Sequence, residues 1–381
     1  MIYLDNSATT MPKEEVLASF AEANKRFYAN AASLHQFGRQ TDALLQKTKE
    51  QLLTIVEAPN GHVIYTSGGT EANNLALLGY ARKYQHRGKH IISTVIEHPA
   101  VLNTLQQLEK EGFTVDYLSV DGNGCIRLDE LEQLIREDTV LVSIMHVNNE
   151  LGSIQPIEQC SQVIRKYSRA IFHVDAVQSF GKIPITLTEK GPDAITISGH
   201  KIHGLKGSGA LISKRHVLPE AISYGGGQEE GLRHGTVAVP NAVALARAAR
   251  LAVEQMNQTK YAKWRAELIA HIAPFEEVVV LAKDGAASHI LSVAFKTIRG
   301  EVAINFFQQQ DIMVSTSSAC ASKSGEVSHV IEAINIDPQY KNGVIRLSFG
   351  EMNTDEEIEQ VKEVFTKFIT VLRRGKTTNV E

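Results

Sequence analysis

The chain has 381 residues, 43% of them hydrophobic, enough to bury a substantial core in two domains. Its 39 basic and 43 acidic residues leave a net charge of −4 with no basic block, which argues against direct nucleic-acid binding. Three scattered cysteines, Cys125, Cys160 and Cys320, form neither a disulfide framework nor a zinc pattern, and no targeting segment or long apolar span is evident, so a reducing cytoplasm away from membranes is expected.

In chain order, short apolar runs predict strands at 63–65, 90–94, 115–120, 140–147, 170–175, 194–198 and 209–213. Helical patterns lie between them at 71–84, 100–111 and 157–167. This alternation predicts an α/β fold, a mainly parallel sheet with helices on both faces. A long helix is expected over 241–265. Shorter strands follow near 278–281, 290–295, 313–315 and 344–349, which read as a smaller α+β domain. The expected division is a large domain at 13–255 and a small one made of 1–12 and 256–381.

The first candidate site element is Ser67-Gly68-Gly69-Thr70, between an apolar run and a helical pattern. Backbone N–H groups at a helix start hold anions, although Thr70 and Glu71 would also open an ordinary helix, and the local sequence leaves both readings open. His98, between a strand and Pro99, is placed to project from the strand end, where imidazole can stack on a flat ring and shuttle a proton or sit buried and satisfied by backbone. In His173-Val174-Asp175-Ala176-Val177-Gln178 a strand ends in an acid and then an amide. Lys201 follows Ala194-Ile195-Thr196-Ile197 through the turn Ser198-Gly199-His200. A strand that empties into a glycine turn puts the next side chain where α/β sheets bind ligands. A lysine there can form a Schiff base with a carbonyl cofactor, and a buried acid nearby would keep a pyridine nitrogen protonated; together they point to pyridoxal 5′-phosphate. His200 and His203 have no cysteine or carboxylate at ligand spacing, so no metal is expected. Cys320 sits in the small, polar stretch Ser315-Thr316-Ser317-Ser318-Ala319-Cys320-Ala321-Ser322, which reads as a mobile loop at about 315–327. Cys160 reads instead as a small buried apolar residue, and Cys125 as part of a turn.

These stations occur in one order: Tyr3-Leu4-Asp5-Asn6-Ser7, Thr66-Ser67-Gly68-Gly69-Thr70-Glu71, Glu97-His98, His146-Val147-Asn148-Asn149-Glu150, the Asp175 and Lys201 segments, Arg233-His234-Gly235-Thr236, Ser318-Ala319-Cys320, and Arg346-Leu347-Ser348-Phe349-Gly350. In order and spacing the chain resembles the cysteine desulfurases among the fold-type I pyridoxal-phosphate enzymes, over almost its whole length. The resemblance implies that the large domain binds pyridoxal phosphate, with Lys201 as its covalent anchor and Asp175 on its ring nitrogen. His98 would stack on the ring, Gln178 would donate to its phenolic oxygen, and Gly69, Thr70, Ser198 and His200 would hold its phosphate. Many relatives carry alanine where Gly69 stands, and glycine is expected to serve because the backbone there does the binding. Thr236 resembles the threonine that reaches the phosphate from a neighbouring subunit, which implies a homodimer. Asn149 and Arg346 would hold the substrate carboxylate, although a turn asparagine and a surface ion pair are common alternatives. The implied reaction converts L-cysteine to L-alanine, with Lys201 and His98 moving protons and Cys320 taking the sulfur as a persulfide. Rival readings are a selenocysteine lyase, an aminotransferase-like enzyme, and a non-catalytic binding protein of the same fold. The implied acceptor is a tRNA sulfurtransferase or an iron–sulfur scaffold. The short end at 375–381, where relatives serving a scaffold often carry an extension, makes the first at least as good an expectation.

Overall fold

A computed structural model describes residues 1–256, 258–316 and 327–377. Strand β1 (Ile2–Tyr3) and helices α1 (Glu14–Arg26) and α2 (Gln36–Ile55) come first. There follow β2 (His62–Thr66), α3 (Gly69–Tyr84), β3 (His90–Thr94), α4 (Pro99–Lys110), β4 (Thr114–Leu118), α5 (Leu128–Leu134), β5 (Thr139–Ser143), α6 (Ile157–Tyr167), β6 (Ile171–Asp175), β7 (Ala194–Ser198) and β8 (Gly209–Ser213). Among the described residues these strands form a seven-stranded sheet of order β2-β8-β7-β6-β5-β3-β4. Only β8 runs against its neighbours; the other pairings are parallel.

Strands β3 and β5 to β8 are buried on both faces, so neighbouring residues point into different cores, while the edge strand β4 is only partly covered. Ile91 packs with α3 and α4 residues such as Tyr80 and Leu105, whereas Ile92 faces a core that includes Leu52 and Ile164. That two-sided burial is why the central strands read as largely apolar runs.

The chain then forms α7 (Val239–Glu254) and α8 (Gln258–Ile272), where the sequence predicts one helix. No glycine or proline marks the break, so the pattern could not reveal it. What differs is burial: α7 is an alanine-rich helix packed into the sheet core, whereas α8 buries a stripe, Trp264, Leu268 and Ile272, in a separate one. Next come β9 (Val278–Leu281), β10 (Ile290–Phe295), α9 (Gly300–Gln309), β11 (Ile312–Met313), β12 (Ser315–Thr316), α10 (His329–Ala333), β13 (Val344–Ser348) and α11 (Asp355–Thr377). Strands β12-β13-β10-β9 form an antiparallel sheet, while β11 pairs in parallel with β1. The single strand expected at 313–315 is thus two short ones in different sheets. α11 opens on a capping box, with Glu357 N–H donating to Thr354 Oγ1 and Thr354 N–H to the Glu357 carboxylate, each at 3.3 Å.

Candidate active site

Parallel strands bring their carboxyl ends to one edge, and most of the candidate residues leave from those ends, whereas Arg346 lies within β13 of the smaller sheet. Asp175 is the last residue of β6 and is buried. Its Oδ2 accepts from Asn73 Nδ2 at 2.7 Å and its Oδ1 from Val177 N–H at 2.9 Å. Lys201 closes the short helical turn after β7, the strand beside β6. Its Nζ donates to the carbonyl of Ala8 at 2.9 Å and also to that of Ser7. Burial, and after it the Arg346 charge, lower the Lys201 pKa to about 8, against the pull of Asp5 and Asp175. The amine is therefore poised near neutrality, as a group that must lose a proton to react requires.

The N-terminal segment wraps the Lys201 turn. Thr10 N–H donates to His200 O at 2.8 Å, and Thr9 Oγ1 lies 3.3 Å from His200 Nδ1. Gln178 Nε2 donates to Ser7 O at 2.9 Å, while Gln178 Oε1 and Ser198 Oγ are buried without a partner. Burial and the charges of Lys201, Lys206 and Lys182 hold the His200 pKa down at about 4.

Beside Ser198 and His200 lies a cavity of about 350 Å³ that Ser67, Gly68, Gly69 and Thr70 also line. The α3 N-terminus opens here, with Gly68 as its cap and no side-chain cap bond. A Cβ on Gly69 would come within 2.8 Å of Val177 Cγ2, so the helix start sits close against the loop that follows Asp175. Glu71 fixes the rim by accepting from Ser67 N–H at 2.7 Å and Arg233 Nε at 2.8 Å. Burial would raise its pKa, but these donors hold it below the usual carboxylate value.

His98 caps α4, its Nδ1 accepting from Ala100 N–H at 3.1 Å, and Pro99 takes the first helical position. The protein around the ring lowers the His98 pKa, Asp175 opposes this, and Lys201 and His329 add to it. Arg346 is buried, not a surface residue. It donates to Asn149 O at 2.6 Å, to Asp5 Oδ1 at 2.8 Å and to Ser315 Oγ at 2.9 Å, while its Nε has no partner.

The described geometry thus gathers Lys201, Asp175, Gln178, Ser198, His200, Gly69, Thr70, His98 and Asn149 along the carboxyl edge of the large sheet, with Arg346 reaching Asn149 from β13. Thr236 is exposed and does not line the cavity of its own chain. Cys320 and residues 317–326 around it lie outside the described residues. Cys160 is buried, and burial pushes its thiol up to about 12. Among the described residues no group of three or more His, Cys, Asp or Glu could hold a metal ion.

Sequence reasoning missed Asn73, which holds Asp175, and Asp5, which holds Arg346. Both contacts span chain distances that no local pattern records. The sequence presents Glu97 only as the neighbour of His98.

Pyridoxal phosphate fits this site on its own chemistry. Ser198 Oγ and the free N–H groups of a helix N-terminus suit a phosphate, a buried carboxylate suits a protonated ring nitrogen, and an amine of lowered pKa suits an aldehyde.

The aminotransferase class-V family model matches residues 2–361. Cysteine desulfurase IscS of Pectobacterium carotovorum subsp. carotovorum is 42% identical over 381 residues, covering 98% of this chain and 93% of that protein. The solved structure of a NifS-like protein superposes with a TM-score of 0.88 at 35% identity, covering 98% of this chain and 99% of that one. A structure described as SspA in complex with cysteine gives a TM-score of 0.80 at 33% identity, covering 92% of this chain and 99% of that one. With the site's lysine, acid and anion cradle in place, the chain belongs to the class-V aminotransferases, pyridoxal-phosphate-dependent enzymes of fold-type I.

Proposed function

We propose that the protein is a cysteine desulfurase that converts L-cysteine to L-alanine and carries the released sulfur as a persulfide on Cys320. The observation that carries this reading is the meeting of Lys201 and Asp175 at the carboxyl edge of the large sheet with Arg346 reaching in from β13 of the smaller one, in a chain similar throughout to proteins named cysteine desulfurases. Bound at this edge, pyridoxal phosphate supplies an electron sink for the bonds at the substrate Cα.

The chain's own groups do the rest. Asp175, oriented by Asn73 and Val177 N–H, holds the proton on the ring nitrogen. Gly69 and Thr70 N–H groups, Ser198 and His200 grip the phosphate, and Gln178 the phenolic oxygen. Thr236 reaches the phosphate from a second copy of the chain, a role supported by its exposure and its place outside its own cavity. Arg346 binds the substrate carboxylate with the help of Asn149, held in place by Asp5 and Ser315. Lys201, close to neutrality, takes and returns the proton at the substrate Cα. With Nδ1 of His98 accepting from Ala100, its neutral ring carries the proton on Nε2, and that atom passes it on. The Cys320 thiolate attacks the substrate sulfur: the S–S bond forms, the C–S bond breaks with its electron pair left on carbon, and that carbon takes the proton His98 passes on, which gives alanine.

The proposal extends to a cytoplasmic homodimer of two-domain chains, divided at 13–255 against 1–12 with 256–381. The separate sheet core and α8 core support that division. The sulfur acceptor is a tRNA sulfurtransferase or an iron–sulfur scaffold, to be separated by capture of persulfide-dependent partners. The test of the reaction is to supply cysteine, trap the enzyme persulfide by alkylation and map it by mass spectrometry while alanine is measured. We expect label on Cys320, and a Cys320→Ser enzyme that binds cysteine yet releases no alanine. Label confined to Cys125 or Cys160 would falsify the assignment.

A further inference from the structure

Glu97 is a buried acid that the mechanism above does not use. Its side chain is 0% exposed and has no ion-pair partner among the described residues. Oε1 accepts from Met145 N–H at 2.7 Å and from Thr94 Oγ1 at 2.9 Å, while Oε2 is buried with no hydrogen-bond partner. A carboxylate in that position would hold a full charge away from water with one oxygen unsolvated, whereas a neutral carboxyl leaves far less uncompensated.

The contacts join three segments that matter to the site. Thr94 ends β3, and Glu97 directly precedes His98. Met145 lies on the segment after β5 that leads to Asn149. Asn148 laces the same two segments, donating to Ile96 O at 2.9 Å and accepting from the N–H groups of Glu150 and Leu151, each at 2.9 Å. His329 at the start of α10 lies with its Nε2 3.0 Å from Glu97 O, so the segment that follows 317–326 is tied to the same point.

We propose that Glu97 is a positioning residue, a neutral carboxyl that staples the His98 segment to the Asn149 segment and so holds the proton-transfer group and the carboxylate-binding loop in register. The proposal rests on the desulfurase reading for its catalytic consequence but not for its protonation state. Burial raises the Glu97 pKa to about 8; the Met145 and Thr94 donors oppose this, and the Asp175 charge reinforces it. The titratable side chains facing this corner are Asp175, His98 and His329, and the two histidines approach from α4 and α10.

Two measurements test the staple. Infrared difference spectra between wild-type holoenzyme and Glu97→Gln read the protonation state directly. The expected signal is a protonated carboxyl band at pH 7 that gives way to a carboxylate band as the pH rises through about 8. A carboxylate band that already dominates at pH 7 overturns the proposal, whatever the enzyme's activity. In turnover, Glu97→Leu removes the acceptor and is expected to lower kcat more than tenfold. Glu97→Gln keeps an oxygen for Met145 and Thr94 and is expected to recover most of that loss. A glutamine variant as impaired as the leucine one, at equal folded content, also overturns the proposal. Because a folded pKa above the unfolded one makes the native state lose stability as pH rises between the two values, the melting temperature of Glu97→Gln relative to wild type is expected to climb from pH 5 to pH 8. A constant difference over that range counts against a neutral Glu97.

Discussion

Lys201 carries the sharpest residue-scale consequence. Its amine is brought to about 8 first by burial and then by Arg346, and it reacts with an aldehyde only once it has lost its proton. The rate at which apoenzyme regains the visible absorbance of bound pyridoxal phosphate is therefore expected to rise with pH through about 8. Arg346→Gln removes a positive neighbour and frees Asp5 from its pair, and both changes favour the charged amine. The midpoint in that variant should move up by as much as about one pH unit. An unchanged midpoint would mean that Arg346 does not act on Lys201 through charge. Lys201→Ala should keep the fold, show no such absorbance and form no alanine, because the phosphate grip is separate from the anchor.

Helix α8 illustrates the element scale. Its stripe of Trp264, Leu268 and Ile272 packs against β1, β10 and α11 residues, and Trp264 meets the ring of Phe349 edge-on at 5.8 Å. The indole N–H also donates to Asp355 in the first turn of α11. One side chain thus ties α8 to both the β13 end and the α11 start. Trp264→Ala should cost about 3–5 kcal/mol in a denaturant titration, since it opens a large cavity and strips a bond from a helix start. A loss below about 1 kcal/mol would show that this core repacks easily. Helical periodicity identified the region as helical but could not show that α7 and α8 serve different cores. Apolar pattern reports which face is buried and not what buries it.

At the scale of the whole molecule, the decisive question is whether one chain completes its own site. Thr236 is exposed, on the segment that Arg233 ties to Glu71 at the phosphate rim. If it serves a partner's site, mixing inactive Lys201→Ala chains with Thr236→Ala chains places both lesions in one site of each mixed dimer and leaves the other site intact. Activity is then expected to return to a substantial fraction of wild type after subunit exchange. Exchange proven by mass, with no recovery, would assign Thr236 to its own chain.

The sequence alone determined the fold class, because two-sided burial writes the central strands as apolar runs and the covering helices as periodic stretches between them. It also pointed to Lys201, Asp175 and the Ser67–Thr70 turn, since each is announced by a local event, a strand that ends in a turn or an acid. The tertiary structure decided what those groups experience. Asn73 holds Asp175 across 102 residues of chain, and Asp5 holds Arg346 across 341. The depressed Lys201 amine and the elevated Glu97 carboxyl follow from removal of water and from charges brought in by other strands. A pKa is set by the surroundings in three dimensions, and no spacing along the chain encodes it.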